Sequence, residues 1–365
     1  MAKLRLRLSL SAWRRLALKI GANGGNLNPR LSVLYWLSSP LYSVLGRIQR
    51  KSHASALENL VQLSPIFVLG FWRSGTTFLH ELLCCDPRFG FPSTYACMNP
   101  SHFLLTEHWI RNRPPGQQTR RPMDNMKYSW DSPQEDEFAL FALGAPSPYE
   151  ALLAPSLMRD PRLLLDLNQR PVEDQVRWSS FLQYFLQLLT VQQAKTIVLK
   201  SPSHGFRLSR LHALFPQARY VIIERNPYEV FASNLKLWQT LLELYSLQPF
   251  SITEIEDFVL SAYVLHEEAI CHGARSLDGR YVAHVRYEDL VTEPLAQMKR
   301  LYRELELGRF EEARPALEHY LVGVADYKRN SFSLSIAQKE HVSTRWGAII
   351  DAKRYAWPSD RLGVG

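Results

Sequence analysis

Hydrophobic and polar positions alternate in blocks that predict strands followed by helices. Ile66–Leu69 is a continuous apolar run, as expected for a buried parallel strand. The apolar residues Phe78, Leu79, Leu82 and Leu83 then recur at helical spacing. The pattern therefore predicts a strand, a tight loop and a helix in succession.

Similar blocks occur later in the chain. Strands are predicted at Thr196–Lys200, 218–224 and 280–286, with helices at about 204–215, 227–244 and 293–307. The 365 residues are 46% hydrophobic, which is enough to bury a large core. Alternating strands and helices favour an α/β fold with a central parallel sheet.

The loop after the first predicted strand has the spacing of a nucleotide-binding P-loop. Its glycines are Gly70 and Gly75, but Thr76 occupies the position of the Walker lysine. The cation is instead Arg73, whose forked guanidinium can reach a phosphate. Backbone N–H groups at the start of the following helix favour an anion at the same place.

A second motif follows the predicted strand at 218–224. It reads R-x-P-x-x-V-x-x-S, with Arg225 at the carboxyl end of the strand and Ser233 two turns into a helix. Asn226 is predicted as the N-cap and Pro227 as the first helical residue. One arginine and one hydroxyl suit a phosphate that carries close to two negative charges.

Together the two motifs resemble those of sulfotransferases that use 3′-phosphoadenosine 5′-phosphosulfate (PAPS), over about residues 65–350. The resemblance implies a three-layer P-loop-type α/β fold, with a central parallel sheet flanked by helices. It implies PAPS as the donor, 3′,5′-adenosine diphosphate as the product, and no metal. The implied binding residues for the 5′-phosphosulfate are Arg73, Ser74, Gly75, Thr76 and Thr77, and those for the 3′-phosphate are Arg225 and Ser233.

Lys200 ends another predicted strand, so it should lie at the same sheet edge as the two arginines. In the branch of the family that sulfates protein tyrosines, the corresponding lysine lies in the active site. The resemblance therefore implies that Lys200 stabilises charge on the transferring group. An exposed lysine at a strand end is the alternative.

Transfer to a hydroxyl needs a general base, and three carboxylates lie close together at 135–137. Related enzymes with arginine in the loop, including tyrosylprotein-type and bacterial sulfotransferases, use glutamate. We expect Glu135 to be the base, with Glu137 the next candidate. The alternative is that these carboxylates only complement a helix dipole. His80 and His204 remain further candidates.

Family members commonly fold a late basic loop over the 3′-phosphate. Lys328 or Arg329 is expected to do this here, although the R-K-G-x-x-G-D-W-K loop of cytosolic members is absent.

Positive charge is concentrated at the start of the chain. The net charge is +8, yet residues 58–365 contain 33 basic and 35 acidic residues. Residues 1–57 contain no acid and ten bases, namely Lys3, Arg5, Arg7, Arg14, Arg15, Lys19, Arg30, Arg47, Arg50 and Lys51.

We therefore expect a basic amphipathic arm at 1–57 and a sulfotransferase catalytic domain at 58–365. Residues 4–20 have the pattern of a helix lying on an anionic membrane surface. Residues 31–46 are uncharged, but they are interrupted by Pro40 and too short to span a bilayer. The alternative is that the arm packs on the catalytic domain.

The four cysteines form no C-x-x-C pair, which favours a reducing compartment and a cytoplasmic enzyme. The basic arm adds the expectation that this enzyme is peripheral at the membrane. Neither a signal peptide nor nucleic-acid binding is indicated. Residues 86–161 hold 11 of the 22 prolines and are expected to be mostly loop with short helices, an insertion that covers the strand ends and shapes the acceptor pocket.

With the arm, this insertion suggests a hydroxylated, lipid-like or membrane-dissolved acceptor. Two other functions remain open. A P-loop small-molecule kinase should retain the Walker lysine, whereas a non-catalytic nucleotide-binding protein would need neither Glu135 nor Lys200.

Overall fold

A parallel sheet lies at the centre of the protein. The computed structural model describes residues 7–22, 29–61, 64–111, 119–120, 127–325 and 334–356. The strands are β1 (Ile66–Leu69), β2 (Phe89–Gly90), β3 (Thr119–Arg120), β4 (Lys127–Tyr128), β5 (Thr196–Lys200), β6 (Arg219–Glu224) and β7 (Val282–Arg286). Five of them form the sheet in the order β2-β5-β1-β6-β7, and each neighbouring pair is parallel. The short strands β3 and β4 pair with each other in antiparallel fashion.

Helices make up most of the remaining described structure. The first group is α1 (Leu10–Ala22), α2 (Pro29–Ser52), α3 (Ala54–Glu58), α4 (Thr76–Cys84), α5 (Thr94–Met98), α6 (Phe103–Arg111), α7 (Asp136–Leu143), α8 (Glu150–Leu153) and α9 (Pro161–Leu165). The second group is α10 (Val172–Gln193), α11 (Leu208–Leu214), α12 (Pro227–Tyr245), α13 (Ile252–Ala274), α14 (Tyr287–Thr292), α15 (Pro294–Glu304), α16 (Phe310–Gly323) and α17 (Ile336–Ala352). Single 3₁₀ turns occur at Pro155–Arg159, Leu167–Gln169, Pro202–Arg207 and Gly279–Tyr281.

Alternate residues of β1 face opposite layers of helices. Ile66 and Val68 pack in a cluster with α4, α15 and α16, whereas Phe67 and Leu69 pack in another with α7, α10 and α11. All four are buried, because a strand covered on both faces must be apolar throughout. The expected fold class, a parallel sheet flanked by helices, is confirmed.

Helix α12 starts where its sequence signals predict, whereas α11 starts later than expected. The Asn226 side chain accepts a hydrogen bond from the Tyr228 N–H at 3.1 Å, as its N-cap position predicts. The helix expected at 204–215 begins instead as a 3₁₀ turn, and α11 starts only at Leu208. Within that turn a Cβ on Gly205 would lie 2.1 Å from Nε2 of His266, so the close packing of the two segments requires glycine at this position.

Pro40 does not interrupt α2, contrary to the sequence expectation. The helix is held on both sides of the proline. Before it, the Tyr35 ring stacks on Trp13 at 4.7 Å, and after it Gln49 donates to the Pro100 carbonyl at 2.9 Å. These contacts stabilise the helix despite the missing backbone donor.

Helix α1 packs its apolar side into the protein. Trp13, Leu16 and Ile20 are buried in a cluster that includes residues of α12 and α13. The Ser9 N–H donates to the Ala142 carbonyl of α7 at 3.0 Å. The apolar face of this helix, which the sequence suggested for a membrane surface, therefore lies inside the protein.

Candidate active site

The candidate residues converge because three adjacent strands end at one edge of the sheet. In the registers, Val68 of β1 lies beside Lys200, the last residue of β5, and Leu69 lies beside Ile222 of β6. The loops after β1 and β6 therefore leave the sheet next to Lys200. Open parallel sheets bind their ligands at this edge.

The loop after β1 has the backbone of an anion-binding turn. Arg73 has φ 68° and Gly75 has φ 100°, both in the left-handed region. A Cβ on Gly75 would lie 2.2 Å from Cδ2 of Tyr287, so packing also requires glycine there. A left-handed conformation is uncommon for a residue other than glycine, and such residues are enriched in ligand-binding loops.

The groups around this turn suit a phosphate. Thr76 and Thr77 are the first residues of α4, and the N–H groups of a first helical turn have no acceptor within the helix. The hydroxyl of Ser74 is buried, and no residue in the described ranges bonds to it. An orphaned hydroxyl beside N–H groups that lack an intrahelical acceptor fits an anionic oxygen, so the loop is compatible with a 5′-phosphosulfate.

The second motif contacts the loop directly. Arg73 Nε donates to the buried Ser233 hydroxyl at 2.8 Å, and Arg225 Nη1 donates to the Arg73 carbonyl at 3.1 Å. The guanidinium carbon of Arg225 lies 4.5 Å from the centroid of the Tyr287 ring. Residues far apart in sequence thus form one cationic site.

Glu229 neutralises Arg225 in this state. Its Oε2 accepts hydrogen bonds from Arg225 Nη2 at 2.5 Å and from Arg225 Nε at 3.1 Å. Because the carboxylate side chain is 41% exposed and the arginine only 13%, the acid can turn outwards into water. The forked donor of Arg225 would then be available to a phosphate.

Glu135 forms an ion pair with Lys200. Lys200 Nζ donates to Glu135 Oε1 at 2.9 Å, and the lysine side chain is only 1% exposed. A buried ammonium needs such a counter-charge. Glu135 is the N-cap of α7, yet its side chain makes no capping bond. This observation speaks against a merely dipole-complementing role.

Tyr149 and Trp72 complete the surroundings of Glu135. The Tyr149 hydroxyl donates to Glu135 Oε2, and Trp72 Nε1 donates to the Tyr149 oxygen at 3.4 Å. Burial, reinforced by the charge of Glu135, raises the pKa of Tyr149 well above its usual value. The phenol therefore stays protonated and holds the carboxylate in place. Each carboxylate oxygen retains lone-pair capacity for a substrate proton.

Glu137 is engaged elsewhere. Its side chain is fully buried, and Oε2 accepts from Arg207 Nη1 at 2.9 Å and from the Ser203 hydroxyl at 2.7 Å. The neighbouring Asp136 accepts from His204 Nε2 at 2.7 Å, and both of these side chains are fully buried. The three consecutive acids therefore contact three different partners, and Glu135 is the one paired with Lys200.

The two histidine candidates lie inside the protein. His80 is fully buried and its Nε2 lies 3.2 Å from the Val198 carbonyl. Burial, followed by the charge of Lys200, lowers its pKa to about 3, so it is neutral near pH 7. His204 is held between Asp136 and the edge of the Phe67 ring.

Two predicted site residues lie outside the described ranges, and three residues of the site were not predicted from the sequence. Lys328 and Arg329, expected over the 3′-phosphate, lie outside the described residues. Tyr149, Trp72 and Glu229 were not anticipated. For Glu229 alone the sequence indicates a contact, because Glu229 lies four residues after Arg225, in the first turn of the predicted helix. Among the described residues, no three His, Cys, Asp or Glu side chains are placed to hold a metal.

The fold and this sheet edge define a P-loop-type α/β protein whose loop after β1 has Thr76 at the position of the Walker lysine and a cation, Arg73, earlier in the loop. The chain belongs to the sulfotransferase family. The family model, described as "Sulfotransferase family", matches residues 65–312. The protein is accordingly an enzyme of the sulfotransferase class.

Individual relatives agree with this assignment. The chain is 37% identical over 348 residues to the omega-hydroxy-beta-dihydromenaquinone-9 sulfotransferase Stf3 of Mycobacterium tuberculosis, covering 95% of this chain and 90% of that one. Two crystal structures share the fold. Sulfotransferase STF9 from Mycobacterium avium has a TM-score of 0.70 at 18% identity, covering 94% of this chain and 92% of that one. STF1 from Mycobacterium tuberculosis H37Rv has a TM-score of 0.66 at 22% identity, covering 93% and 92%.

Proposed function

We propose that this enzyme transfers the sulfonyl group of PAPS to a hydroxyl of a lipid-like acceptor and leaves 3′,5′-adenosine diphosphate. The observation that carries the proposal is the direct contact between the two phosphate-binding motifs, through Arg73, Ser233 and Arg225. A nucleotide with phosphates at both its 5′ and 3′ positions fits two joined cationic sites. A Walker-type triphosphate site would require a lysine at Thr76.

The donor would be held by two sets of residues. The proposed 5′-phosphosulfate set is Arg73, Ser74, Gly75, Thr76 and Thr77, and the proposed 3′-phosphate set is Arg225 and Ser233. PAPS, when bound, supplies an activated sulfonyl group. In the second set, Glu229 must release the arginine before a phosphate can take its place.

We assign the base role to Glu135. Its carboxylate would take the proton of the acceptor hydroxyl as that oxygen forms its bond to sulfur and the bond between sulfur and the 5′-phosphate oxygen breaks, which releases 3′,5′-adenosine diphosphate. Lys200, hydrogen-bonded to the same carboxylate, orients it and supplies positive charge at the strand edge. Glu137 is a weaker candidate because its buried pairing with Arg207 occupies it.

The acceptor class rests on a relative and on charge. The relative Stf3 is named for a hydroxylated menaquinone derivative, a lipid-like substrate. The arm at 1–57 is exclusively basic among its charged residues. We therefore propose a membrane-dissolved alcohol or phenol as the acceptor, for a cytoplasmic enzyme attached peripherally to the membrane.

Calorimetric titration of the full chain tests the donor. We expect 3′,5′-adenosine diphosphate to bind without Mg²⁺, and Arg225→Ala to weaken this binding by about a hundredfold, since the variant removes a charged bidentate partner. ATP with Mg²⁺ is the competing ligand. Tighter binding of ATP with Mg²⁺ than of the 3′-phosphorylated nucleotide would refute the proposal and favour a kinase.

A further inference from the structure

Helix α2 presents an apolar stripe to solvent along its outer side. The stripe residues are all between 45% and 75% exposed: Val33, Trp36, Leu37, Leu41, Val44 and Ile48. They recur every three to four residues, so they form one continuous face of the helix. An apolar face of this extent on a surface exposed to water usually marks an interaction site.

The inner side of α2 is already occupied, which fixes the direction of the outer stripe. Gln49 is buried and bonds both the Pro100 carbonyl, at 2.9 Å, and the Leu104 N–H, at 3.0 Å. Ser43 accepts from the Leu10 N–H at 2.8 Å. The helix is therefore anchored by its inner residues, and the exposed apolar stripe is left for a partner.

Charge identifies the partner. Arg47 and Lys51 are exposed and continue the stripe at helical spacing towards its carboxyl end. Residues 1–57 contain no acid to offset these cations. Aliphatic and indole side chains flanked by bases are the composition of helices that lie in the interface of anionic membranes.

We propose that the stripe of α2 is the membrane-docking surface, with the helix lying in the plane of an anionic lipid bilayer. This inference extends the proposed lipid-like acceptor and relocates the lipid contact from α1, whose apolar face is buried. No described helix is long and apolar enough to cross a bilayer.

Helix α1 lies between the docking surface on α2 and α7, the helix that follows the proposed base. Helix α2 packs on α1, and α1 is tied to α7 by Arg15 Nη2, which donates to the Gly144 carbonyl at 2.8 Å. Helix α7 begins directly after its N-cap, Glu135. Helix α1 thus links α2 to the C-terminal end of α7, and Glu135 lies at the opposite end of α7.

Vesicle co-sedimentation of the full chain tests the proposal without donor or acceptor. The vesicles are phosphatidylcholine alone or phosphatidylcholine mixed with phosphatidylglycerol. Leu37→Glu/Leu41→Glu should lower partitioning onto the mixed vesicles by about a hundredfold, since it removes two large apolar contacts and adds two negative charges. Arg47→Gln/Lys51→Gln should lower it by about twentyfold, and only on the anionic vesicles.

Val322→Glu is the matched control, because Val322 is an apolar residue that is 78% exposed on α16, outside the stripe. Its partitioning should equal that of the unchanged protein. All variants alter exposed side chains, and calorimetric binding of 3′,5′-adenosine diphosphate reports that they are folded. This readout also separates the two proposals, since donor binding can persist while membrane docking fails.

The docking proposal is overturned if the unchanged protein does not co-sediment with anionic vesicles, or if Leu37→Glu/Leu41→Glu still co-sediments as well as Val322→Glu. Sedimentation velocity without lipid tests whether a second copy of this chain binds the stripe instead. A dimer that becomes a monomer only in Leu37→Glu/Leu41→Glu, with no vesicle binding by either protein, would identify the stripe as a contact between copies of this chain.

Discussion

Replacing Glu135 by glutamine separates its chemical role from its structural role. The amide has the shape of the carboxylate and keeps a carbonyl oxygen for Lys200 Nζ, now 2.9 Å from Oε1. It cannot take a proton from an acceptor. General-base catalysis contributes about 10²- to 10⁴-fold, so the barrier to transfer should rise by about 3 to 5 kcal/mol.

The same substitution should cost less in folding. Lys200 is 1% exposed and loses its counter-charge, but Glu135 is 15% exposed and the hydrogen bond can persist. We expect the free energy of unfolding to fall by about 1 to 3 kcal/mol. Turnover, measured as release of 3′,5′-adenosine diphosphate from PAPS with a long-chain alcohol, should fall while calorimetric affinity for that product is retained.

Glu137→Gln is the matched control two residues away. Its carboxylate is fully buried and paired with Arg207, which is only 2% exposed. Removing one partner of such a pair costs about 3 to 5 kcal/mol of stability. Denaturant unfolding should therefore show a larger loss than for Glu135→Gln, whereas the folded variant should turn over within about threefold of the unchanged enzyme.

Two results would refute this reasoning. If Glu135→Gln keeps full turnover, the base assignment fails, and a non-catalytic role for the pair with Lys200 is favoured. If Glu137→Gln loses turnover as strongly as Glu135→Gln is expected to, without a comparable loss of stability, the base is Glu137.

Two further predictions concern charge pairs away from the base. Glu229→Gln should raise the affinity for 3′,5′-adenosine diphosphate by about twofold, because it removes the carboxylate that competes for Arg225 in a partly exposed pair; weaker calorimetric binding would show instead that Glu229 positions the arginine. Burial alone would raise the pKa of Glu267, but hydrogen bonding by His266 and the charge of Lys353, 2.7 Å away, lower it to about 2. Its stabilising effect, about 3 kcal/mol, is thus complete above about pH 4.5 and lost as the pH falls towards 2. Unfolding free energies of Glu267→Gln should depend less on pH across that window than those of the unchanged protein, and equal slopes would contradict the assignment.

Several elements were predictable because their causes are local. The four apolar residues of β1 are buried on both faces, so their run is unbroken. The start of α12 is specified by adjacent residues, since Asn226 caps the helix and Pro227 is its first residue. The loop from Gly70 to Thr77 carries its own signature, since glycine spacing and a following helix are both visible in sequence. These features led to the sulfotransferase family, which the comparisons confirm.

Other features depend on residues that meet only after the chain folds. Lys200 pairs with Glu135 across 65 positions, and nothing in the spacing of 135–137 distinguishes the acid that faces a lysine from the two that face His204 and Arg207. Tyr149 follows the end of α7, and it contacts Glu135 only because the chain after α7 folds back towards the start of that helix. The roles of these residues remain predictions, but their grouping comes from the tertiary structure.

The N-terminal helices show the same division. The sequence determined that residues 1–57 are basic and that two amphipathic or apolar segments occur there. Amphipathicity alone does not say whether an apolar face meets protein or lipid, because burial removes apolar surface from water equally well in both cases. Packing decided it: the Trp13 face of α1 is covered by the catalytic core, and the Leu37 face of α2 is left exposed.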